Sequence, residues 1–349
     1  MNRFSVARPQ TIAQAAVAMS NTVASAMSVP VSADQGDTAI VKAGGIDLLD
    51  LLKEGLLRPA KLVNLGDVPG LSEVAEEKDG GLRIGPVVTL AALAAHRLVR
   101  ERYPALAEAL SGAASPQIRN VATLGGNLLQ RPRCWYFRSN AYHCLRKGGG
   151  HCFAVAGANQ YHAIFNNMAC AIVHPSTAAT VLVALGASIE ITTAADAARL
   201  LSLENFFVAP ERDLQRENDL QPHEIVTAIR LPKLPASLHM AHLKQAEKES
   251  FDWPLADVAV ALDLGAGGAC TRAAIILGGA AAVPYRAKAA EAVLTGKRID
   301  EKLAADAAHA ALDGATPLAD NGYKLPLFET LIRRALLKAV AGATAKSAS

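Results

Sequence analysis

The sequence predicts an α+β fold in two parts, one up to residue 232 and a smaller one over residues 238–340. Hydrophobic residues make up 51% of the 349 positions but aromatic residues only 5%, so Ala, Val and Leu must fill an interior of closely packed helices and sheets. Short β-rich runs alternate with helical runs up to residue 232, and a segment with two nearby prolines (233–237) then marks a boundary. Beyond it, apolar strand-like runs precede Ala-rich amphipathic helices.

Periodicity and breakers place the individual elements. Before residue 130 we expect helices at 10–20, 47–53, 90–96 and 103–110, strands at 38–43, 61–66 and 82–86, and a surface loop over 22–37. Between 177 and 232 we expect a helix at 177–185, strands at 187–191 and 224–232, and a charged loop over 192–222. The last third predicts strands at 239–248 and 271–277, a small-residue apolar run at 254–264, helices at 286–295, 300–313 and 325–340, and a disordered tail at 341–349.

Charge and hydropathy exclude two classes of function. The net charge is +3 with no block of like charge, which argues against a nucleic-acid-binding protein. No apolar run reaches 18 residues, so no membrane span is predicted. The N-terminal segment lacks a continuous apolar stretch, so we expect no signal peptide of its own.

Two glycine pairs are candidates for binding a phosphate group. Gly44-Gly45 lies between a predicted strand and a predicted helix, an arrangement that presents backbone N–H groups to an anion. Gly125-Gly126-Asn127 is predicted to form a second turn, with Thr123 adding a hydroxyl group. Each turn alone is equally an ordinary tight connection, and neither matches G-x-G-x-x-G, so a nicotinamide-binding fold is not predicted.

Four of the five cysteines follow the second glycine turn within 37 residues. Nine, seven and seventeen residues separate Cys134, Cys144, Cys152 and Cys170, which is neither the paired spacing of structural zinc nor the compact ferredoxin spacing. Spacing alone leaves an iron–sulfur cluster, a zinc site and unligated thiols equally open. His143 and His151 are additional potential ligands, and Cys270 is expected to be a packing residue.

Several segments together resemble the flavin-binding subunits of molybdenum hydroxylases, the xanthine dehydrogenase and CO dehydrogenase group. The matching segments are KAGGIDLLDLL (42–52), LRIGPVVTLAALAAH (82–96), SPQIRNVATLGGN (115–127), FDWPLADVAVAL (251–262), LGGAAAVPYRAKAAE (277–291) and GYKLPLFETLIRRAL (322–336). The segment QRPRCWYFR with the later cysteines is similar to the FAD and 4Fe-4S subunit of bacterial periplasmic aldehyde oxidoreductase.

The resemblance implies a two-part FAD-binding domain of the molybdopterin dehydrogenase type (1–232, with a cysteine insert at 131–172), followed by the C-terminal α+β domain. It implies that FAD binds to Ile40, Val41, Lys42, Ala43, Gly44, Gly45, Ile46, Asp47, Leu48, Ser115, Thr123, Gly125, Gly126, Asn127, Thr177 and Lys244. It also implies a 4Fe-4S cluster on Cys134, Cys144, Cys152 and Cys170. Two positions depart from the family pattern. Ile46 stands where a threonine is usual, and Thr177 stands where close relatives have aspartate.

The function implied by the resemblance is electron transfer within a complex. Electrons from a large molybdenum-cofactor subunit would pass through a small 2Fe-2S subunit to FAD, and then to an external acceptor. Two alternatives stay open: a zinc-stabilised scaffold subunit without flavin, and a self-sufficient flavin oxidase. The assembly is expected in the cytoplasm, or in the periplasm if a partner carries a twin-arginine signal. No residue is nominated for acid–base chemistry, and His174 and Tyr285 are expected to be structural.

Overall fold

The computed structural model describes residues 2–28, 38–195, 197–248 and 251–347, with side chains as far as residue 342. The strands are β1 (Ser5–Ala7), β2 (Ala39–Lys42), β3 (Lys61–Asn64), β4 (Val74–Glu76), β5 (Leu82–Ile84), β6 (Ser188–Thr192), β7 (Ala198–Ser202), β8 (Ile225–Leu231), β9 (Leu238–Gln245), β10 (Ala256–Leu264), β11 (Cys270–Gly278) and β12 (Tyr285–Arg286).

The helices alternate with these strands. They are α1 (Ile12–Ala18), α2 (Val23–Met27), α3 (Ile46–Lys53), α4 (Leu90–Ala95), α5 (Arg97–Arg102), α6 (Pro104–Ser111), α7 (Pro116–Arg119), α8 (Leu124–Leu128), α9 (Trp135–Arg138), α10 (Phe153–Ala156), α11 (Thr177–Ala184), α12 (Leu203–Phe206), α13 (Lys288–Leu294), α14 (Glu301–Ala310) and α15 (Lys324–Ser347). A single turn of 3-10 helix spans Leu145–Lys147.

The chain divides into two compact units. The first unit contains residues 1–92, 116–154 and 187–232, and the second contains 93–115, 155–186 and 233–349. Both units therefore combine segments that are distant in sequence.

The first unit contains a parallel sheet and an antiparallel sheet. The parallel sheet has the strand order β1-β3-β2, and α3 covers it with Leu48, Leu51 and Leu52, which pack against Ile40 and Leu62. The antiparallel sheet has the order β4-β5-β8-β6-β7. Because β2 leads directly into α3, the parallel sheet fixes the position of the intervening Gly44-Gly45 turn.

The second unit is built on an antiparallel sheet with the order β12-β11-β10-β9. Alternate residues of β10, including Val258 and Val260, form a core with Phe328 and Ile332 of α15, together with α13 and α14. Asp257 points the other way because neighbouring residues of a strand face opposite sides of a sheet. On that side of the sheet, the Asp257 carboxylate and the Thr180 hydroxyl of α11 both lie against Gly278.

Most predicted elements are confirmed, and the differences occur where tertiary contacts decide the structure. Gly125-Gly126-Asn127 is the middle of α8 rather than a free turn, because Thr123 caps this helix. The predicted loop over 192–222 contains β7, which is stabilised by pairing with β6, and also α12. Helix α15 continues to Ser347, where disorder was predicted, because its Ala-rich sequence favours a helix. Helix α2 lies within the predicted 22–37 loop, and residues 29–37 and 348–349 lie outside the described residues.

A helix that crosses a bilayer needs about 20 predominantly apolar residues. Among the described residues, none of the helices is both long enough and apolar enough to span a membrane.

Candidate functional site

The first glycine turn joins β2 to α3 in the geometry of an anion-binding loop. Gly45 is the residue before the helix and adopts a left-handed conformation with φ 83°. The first helical hydrogen bond runs from Leu49 N–H to the Gly45 carbonyl (2.8 Å), so the N–H groups of residues 46–48 have no acceptor within the helix. These groups and the positive end of the helix dipole favour an anion such as pyrophosphate.

The second glycine segment is held in place by two neighbouring stretches of chain. The Thr123 hydroxyl accepts a hydrogen bond from Gly126 N–H (3.2 Å) and caps α8. Leu124 N–H donates to the Val88 carbonyl (2.9 Å), and Gly125 N–H donates to the Pro86 carbonyl (2.8 Å). The motif LRIGPVVTL therefore supports the backbone of the motif ATLGGN.

The two glycine segments are in direct backbone contact. A Cβ atom added to Gly44 would lie 3.0 Å from the Val121 carbonyl carbon and still closer to its oxygen, which is a separation that real Cβ atoms do not tolerate. Only glycine allows this approach. The structure therefore brings the loop 40–48 against the backbone at residue 121, just before the segment 123–127, and we call these two loops together the glycine cradle.

Side chains at the glycine cradle supply little polar contact of their own. The Ile46 side chain is 37% exposed, so an apolar group lies where the family usually has a hydroxyl. The Lys42 ammonium group donates to the Ala43 carbonyl (2.9 Å) and to Asn64 Oδ1 (3.4 Å). The backbone N–H groups of residues 46–48 do not depend on the side chain at position 46, so an isoleucine leaves them in place.

The remaining predicted FAD residues, Ser115, Thr177 and Lys244, belong to the second unit. Lys244 donates to the Gly112 carbonyl (3.1 Å), and burial lowers its pKa while Asp257, its neighbour across β9 and β10, acts in the opposite direction. Thr177 is a buried residue in the first turn of α11, and Ser115 is partly buried just before α7.

His174 and Tyr285 both have packing roles. His174 is buried, which lowers its pKa to about 3, and its Nδ1 accepts a hydrogen bond from Ser176 N–H. The Tyr285 ring stacks on Phe165 with a centroid separation of 4.0 Å.

Cys134, Cys144 and Cys152 all lie in the first unit and influence one another electrostatically. Burial raises the pKa of the Cys134 thiol to about 11, and the other two cysteines act in the same direction. Backbone N–H groups of Phe137 and Tyr136 donate to the Cys134 sulfur and oppose this rise. N–H···S hydrogen bonds of this kind stabilise thiolates and tune iron–sulfur clusters.

A tight loop connects Cys144 with Cys152. Gly149 N–H donates to the Cys144 carbonyl (3.0 Å), and Leu145 N–H donates to the His151 carbonyl (2.9 Å). A side chain on Gly149 would collide with the His143 backbone, so the glycine-rich sequence is needed to close this loop. The His151 ring packs on Phe153 (4.3 Å between centroids).

Two buried arginines lie beside this segment and share one carboxylate. Arg146 Nη1 is 2.6 Å from Glu217 Oε1, and Arg131 Nε is 3.0 Å from Glu217 Oε2. Burial lowers the pKa of Arg131, and its Nη1 atom is buried without a hydrogen-bond partner. Both guanidinium groups therefore share the Glu217 carboxylate in a buried environment, where removal of one member of an ion pair is costly.

The other two cysteines lie in the second unit. Cys170 is buried, and Cys270 is buried at the start of β11 with its thiol directed at the Arg272 carbonyl (3.4 Å), as expected of a packing residue. Across the part of the chain that the structure describes, no group of three or more His, Cys, Asp or Glu side chains is already arranged to hold a metal ion.

Two known protein families match this chain, one in each part of the sequence. Residues 2–234 match the family described as the FAD binding domain in molybdopterin dehydrogenase. The chain belongs to this family. Residues 241–339 match the CO dehydrogenase flavoprotein C-terminal domain, so the family resemblance and the α+β fold predicted from the sequence are both confirmed.

Curated relatives and a solved structure agree with this membership. The chain is 34% identical over 307 residues to the aldehyde oxidoreductase FAD-binding subunit PaoB of Escherichia coli, covering 86% of this chain and 91% of that protein. It is 27% identical to the carbon monoxide dehydrogenase medium chain of Afipia carboxidovorans, covering 88% and 91%. Quinoline 2-oxidoreductase from Pseudomonas putida 86 superposes with a TM-score of 0.72 at 26% identity, covering 98% of both chains.

Sequence reasoning missed the charged residues that anchor the cysteine segment. Glu217 lies in a stretch that was expected to be a loop, and Arg131, Arg133, Arg138 and Arg146 look like ordinary surface cations in sequence. The one available signal was the density of arginines around Cys134 in the segment QRPRCWYFR.

Proposed function

We propose that this chain is the FAD-binding electron-transfer subunit of a molybdenum-dependent hydroxylase or aldehyde oxidoreductase complex. The observation that carries the proposal is the glycine cradle, in which Gly44 packs against the backbone just before Thr123. The cradle lies in the part of the chain that matches the FAD-binding family. It offers the N–H groups of residues 46–48 at a helix N-terminus to the pyrophosphate of FAD.

The partners follow from the family and from the names of the relatives. PaoB is named as a subunit, and the carbon monoxide dehydrogenase relative as a medium chain. We therefore propose a complex with a large molybdenum-cofactor subunit and a small 2Fe-2S subunit, which delivers electrons to an external acceptor. FAD suits this role because it exchanges either one or two electrons, while this chain binds it, orients it and adjusts its potential.

Release of the cofactor tests this part of the proposal. The purified full-length chain, denatured with acid, is expected to release FAD in a molar ratio near one, identified by chromatography against FAD and FMN standards. Released FMN, or folded protein that neither contains nor takes up flavin, would contradict it and would favour the scaffold alternative.

We further propose that Cys134, Cys144, Cys152 and Cys170 ligate a 4Fe-4S cluster. Two observations support this assignment: the mutual electrostatic influence of the three cysteines in the first unit, and the N–H groups directed at the Cys134 sulfur. A cluster bound by four thiolates is anionic, so this environment suits it better than neutral thiols. The sulfur atoms must still move into a ligating arrangement, since the described residues contain no preformed metal site.

The iron content of cysteine variants distinguishes a 4Fe-4S cluster from a zinc site and from unligated thiols. The variant Cys144→Ser is expected to lose iron and the broad visible absorption of a cluster, while Cys270→Ser is the matched control because that buried thiol only packs. Unchanged iron in Cys144→Ser would overturn the assignment. Stoichiometric zinc in the wild-type chain would favour a structural zinc site instead.

A further inference from the structure

Asp47 connects the glycine cradle to the cysteine segment. Its carboxylate lies in the first turn of α3, immediately after the cradle, and accepts a hydrogen bond from Arg131 N–H (2.8 Å). The same carboxylate is 2.6 Å from Arg138 Nη2 and 2.8 Å from Arg133 Nη2. These arginines flank Cys134 on both sides, so one carboxylate holds the chain before and after a proposed ligand.

Apolar packing reinforces the same connection. Leu48, Leu51 and Leu52 of α3 share a core with Phe137, Cys144 and, at its edge, Cys134. Arg138 also donates to the carbonyls of Pro132 (2.8 Å) and Arg131 (3.0 Å), which closes the chain around Cys134. A shift of the cysteine segment must therefore either move the first turn of α3 or break its ion pairs with Asp47.

We propose that Asp47 is a positioning residue that couples FAD binding at the glycine cradle to cluster binding on the cysteine segment. This inference rests on the proposed function, since it takes FAD and the cluster as the two ligands. When the cluster orders Cys134 and its flanking arginines, Asp47 fixes the N–H groups of the first helical turn. By thermodynamic linkage, each ligand then strengthens binding of the other by the same factor.

Asp50 provides a matched control on the same helix. It lies near the same two arginines but at longer distances, 3.2 Å from Arg138 Nη1 and 3.6 Å from Arg133 Nη1. Its side chain is 47% exposed, whereas that of Asp47 is 15% exposed. Asp50→Asn therefore removes an equal charge from the same surface and leaves the anchoring carboxylate in place.

The test is a double-mutant cycle on FAD affinity. Flavin-stripped full-length chains with and without the cluster are titrated with FAD, and flavin fluorescence reports the Kd. Cluster loss is produced both by Cys144→Ser and by chelation of iron, so that a local effect of the serine is recognised. We expect cluster loss to weaken FAD binding about fivefold or more in the wild-type and Asp50→Asn chains, and less than twofold in Asp47→Asn.

Arg138→Gln removes the other partner of the same ion pair, the arginine that lies in the cysteine segment. It is expected to remove the coupling as Asp47→Asn does, which keeps the test valid if one variant folds poorly. The inference is overturned if cluster loss leaves the wild-type Kd unchanged, or if both Asp47→Asn and Arg138→Gln retain the full coupling. A chain that binds no FAD or no iron shows instead that the proposed function itself is wrong, and the inference falls with it.

Discussion

Adding a single methyl group at Gly44 tests the glycine cradle most specifically. In Gly44→Ala the new Cβ would lie 3.0 Å from the Val121 carbonyl carbon and closer still to its oxygen. The neighbour is backbone rather than a flexible side chain, and the Leu90 N–H to Ala122 carbonyl hydrogen bond (2.9 Å) restrains it. The two glycine segments must therefore separate to accept the methyl group.

The cost of this separation follows from the general cost of overpacking. Forcing an extra methyl group into a closely packed site costs about 1–3 kcal/mol. If this cost is carried by the FAD-binding conformation, FAD affinity falls about 5- to 150-fold, since each 1.4 kcal/mol is tenfold in a binding constant. Fluorescence titration of flavin-stripped protein measures the affinity, and denaturant unfolding measures any loss shared by the whole first unit.

Gly66→Ala is the matched control in the same unit. A Cβ at Gly66 meets only the Asn64 side chain at 3.5 Å or more, which is an ordinary contact. We expect this variant to keep its FAD affinity and to change stability by no more than about 1 kcal/mol. An unchanged FAD Kd in Gly44→Ala, with unchanged stability, would refute the reasoning that the close approach of the two segments forms the binding site.

Three further predictions concern charged residues. Lys324 is buried with its ammonium group donating to the His162 (3.0 Å) and Gly279 (2.8 Å) carbonyls, and burial lowers its pKa to about 7. Because the unfolded chain then binds more protons above pH 7, the stability of the wild type relative to Lys324→Met should rise by about 2 kcal/mol from pH 7 to 9, and parallel pH profiles in denaturant unfolding would contradict this. Glu217→Gln removes the carboxylate shared by the buried guanidinium groups of Arg131 and Arg146, and it should lower the free energy of unfolding by about 3–5 kcal/mol in the same assay. A loss below about 1 kcal/mol would show that these ion pairs are exposed to solvent. The family resemblance implies that Lys244 lies near the flavin, and a nearby cation favours the more negatively charged reduced flavin. On that expectation Lys244→Met should lower the flavin reduction potential in a spectroelectrochemical titration, whereas the exposed Lys233→Met should not; equal potentials in both variants would contradict the expectation.

The sequence was sufficient where local patterns decide the structure. Alternating or continuous apolar runs predicted β8 and β11, and the strand–glycine–helix order predicted the connection between β2 and α3. Strand β7 was missed because its half-exposed residues have little pattern of their own, and pairing with β6 stabilises them. The short helix at Gly125-Gly126 was read as a turn because two glycines disfavour a helix, and the Thr123 cap outweighs this preference.

The contacts that assemble the candidate site depend on distant partners. Gly44 was predicted to belong to a phosphate-binding turn, but the sequence does not reveal that it packs against the backbone of Val121. The anchoring by Asp47 and Glu217 was missed for the same reason, because a charged side chain carries no local signal of its partner. The loop between Cys144 and Cys152 likewise depends on Gly149, where a side chain would collide with the His143 backbone.

The visible absorption spectrum of the anaerobically purified protein, before and after chemical reduction, tests the central claim most directly. The account predicts structured flavin bands above a broad iron–sulfur shoulder, with both bleached on reduction and with FAD and iron near one and four per chain, the composition of one FAD and one 4Fe-4S cluster. Flavin bands without the shoulder would support an FAD-binding subunit and would contradict the assignment of a cluster to Cys134, Cys144, Cys152 and Cys170. A folded, colourless protein that takes up neither FAD nor iron would contradict the account as a whole.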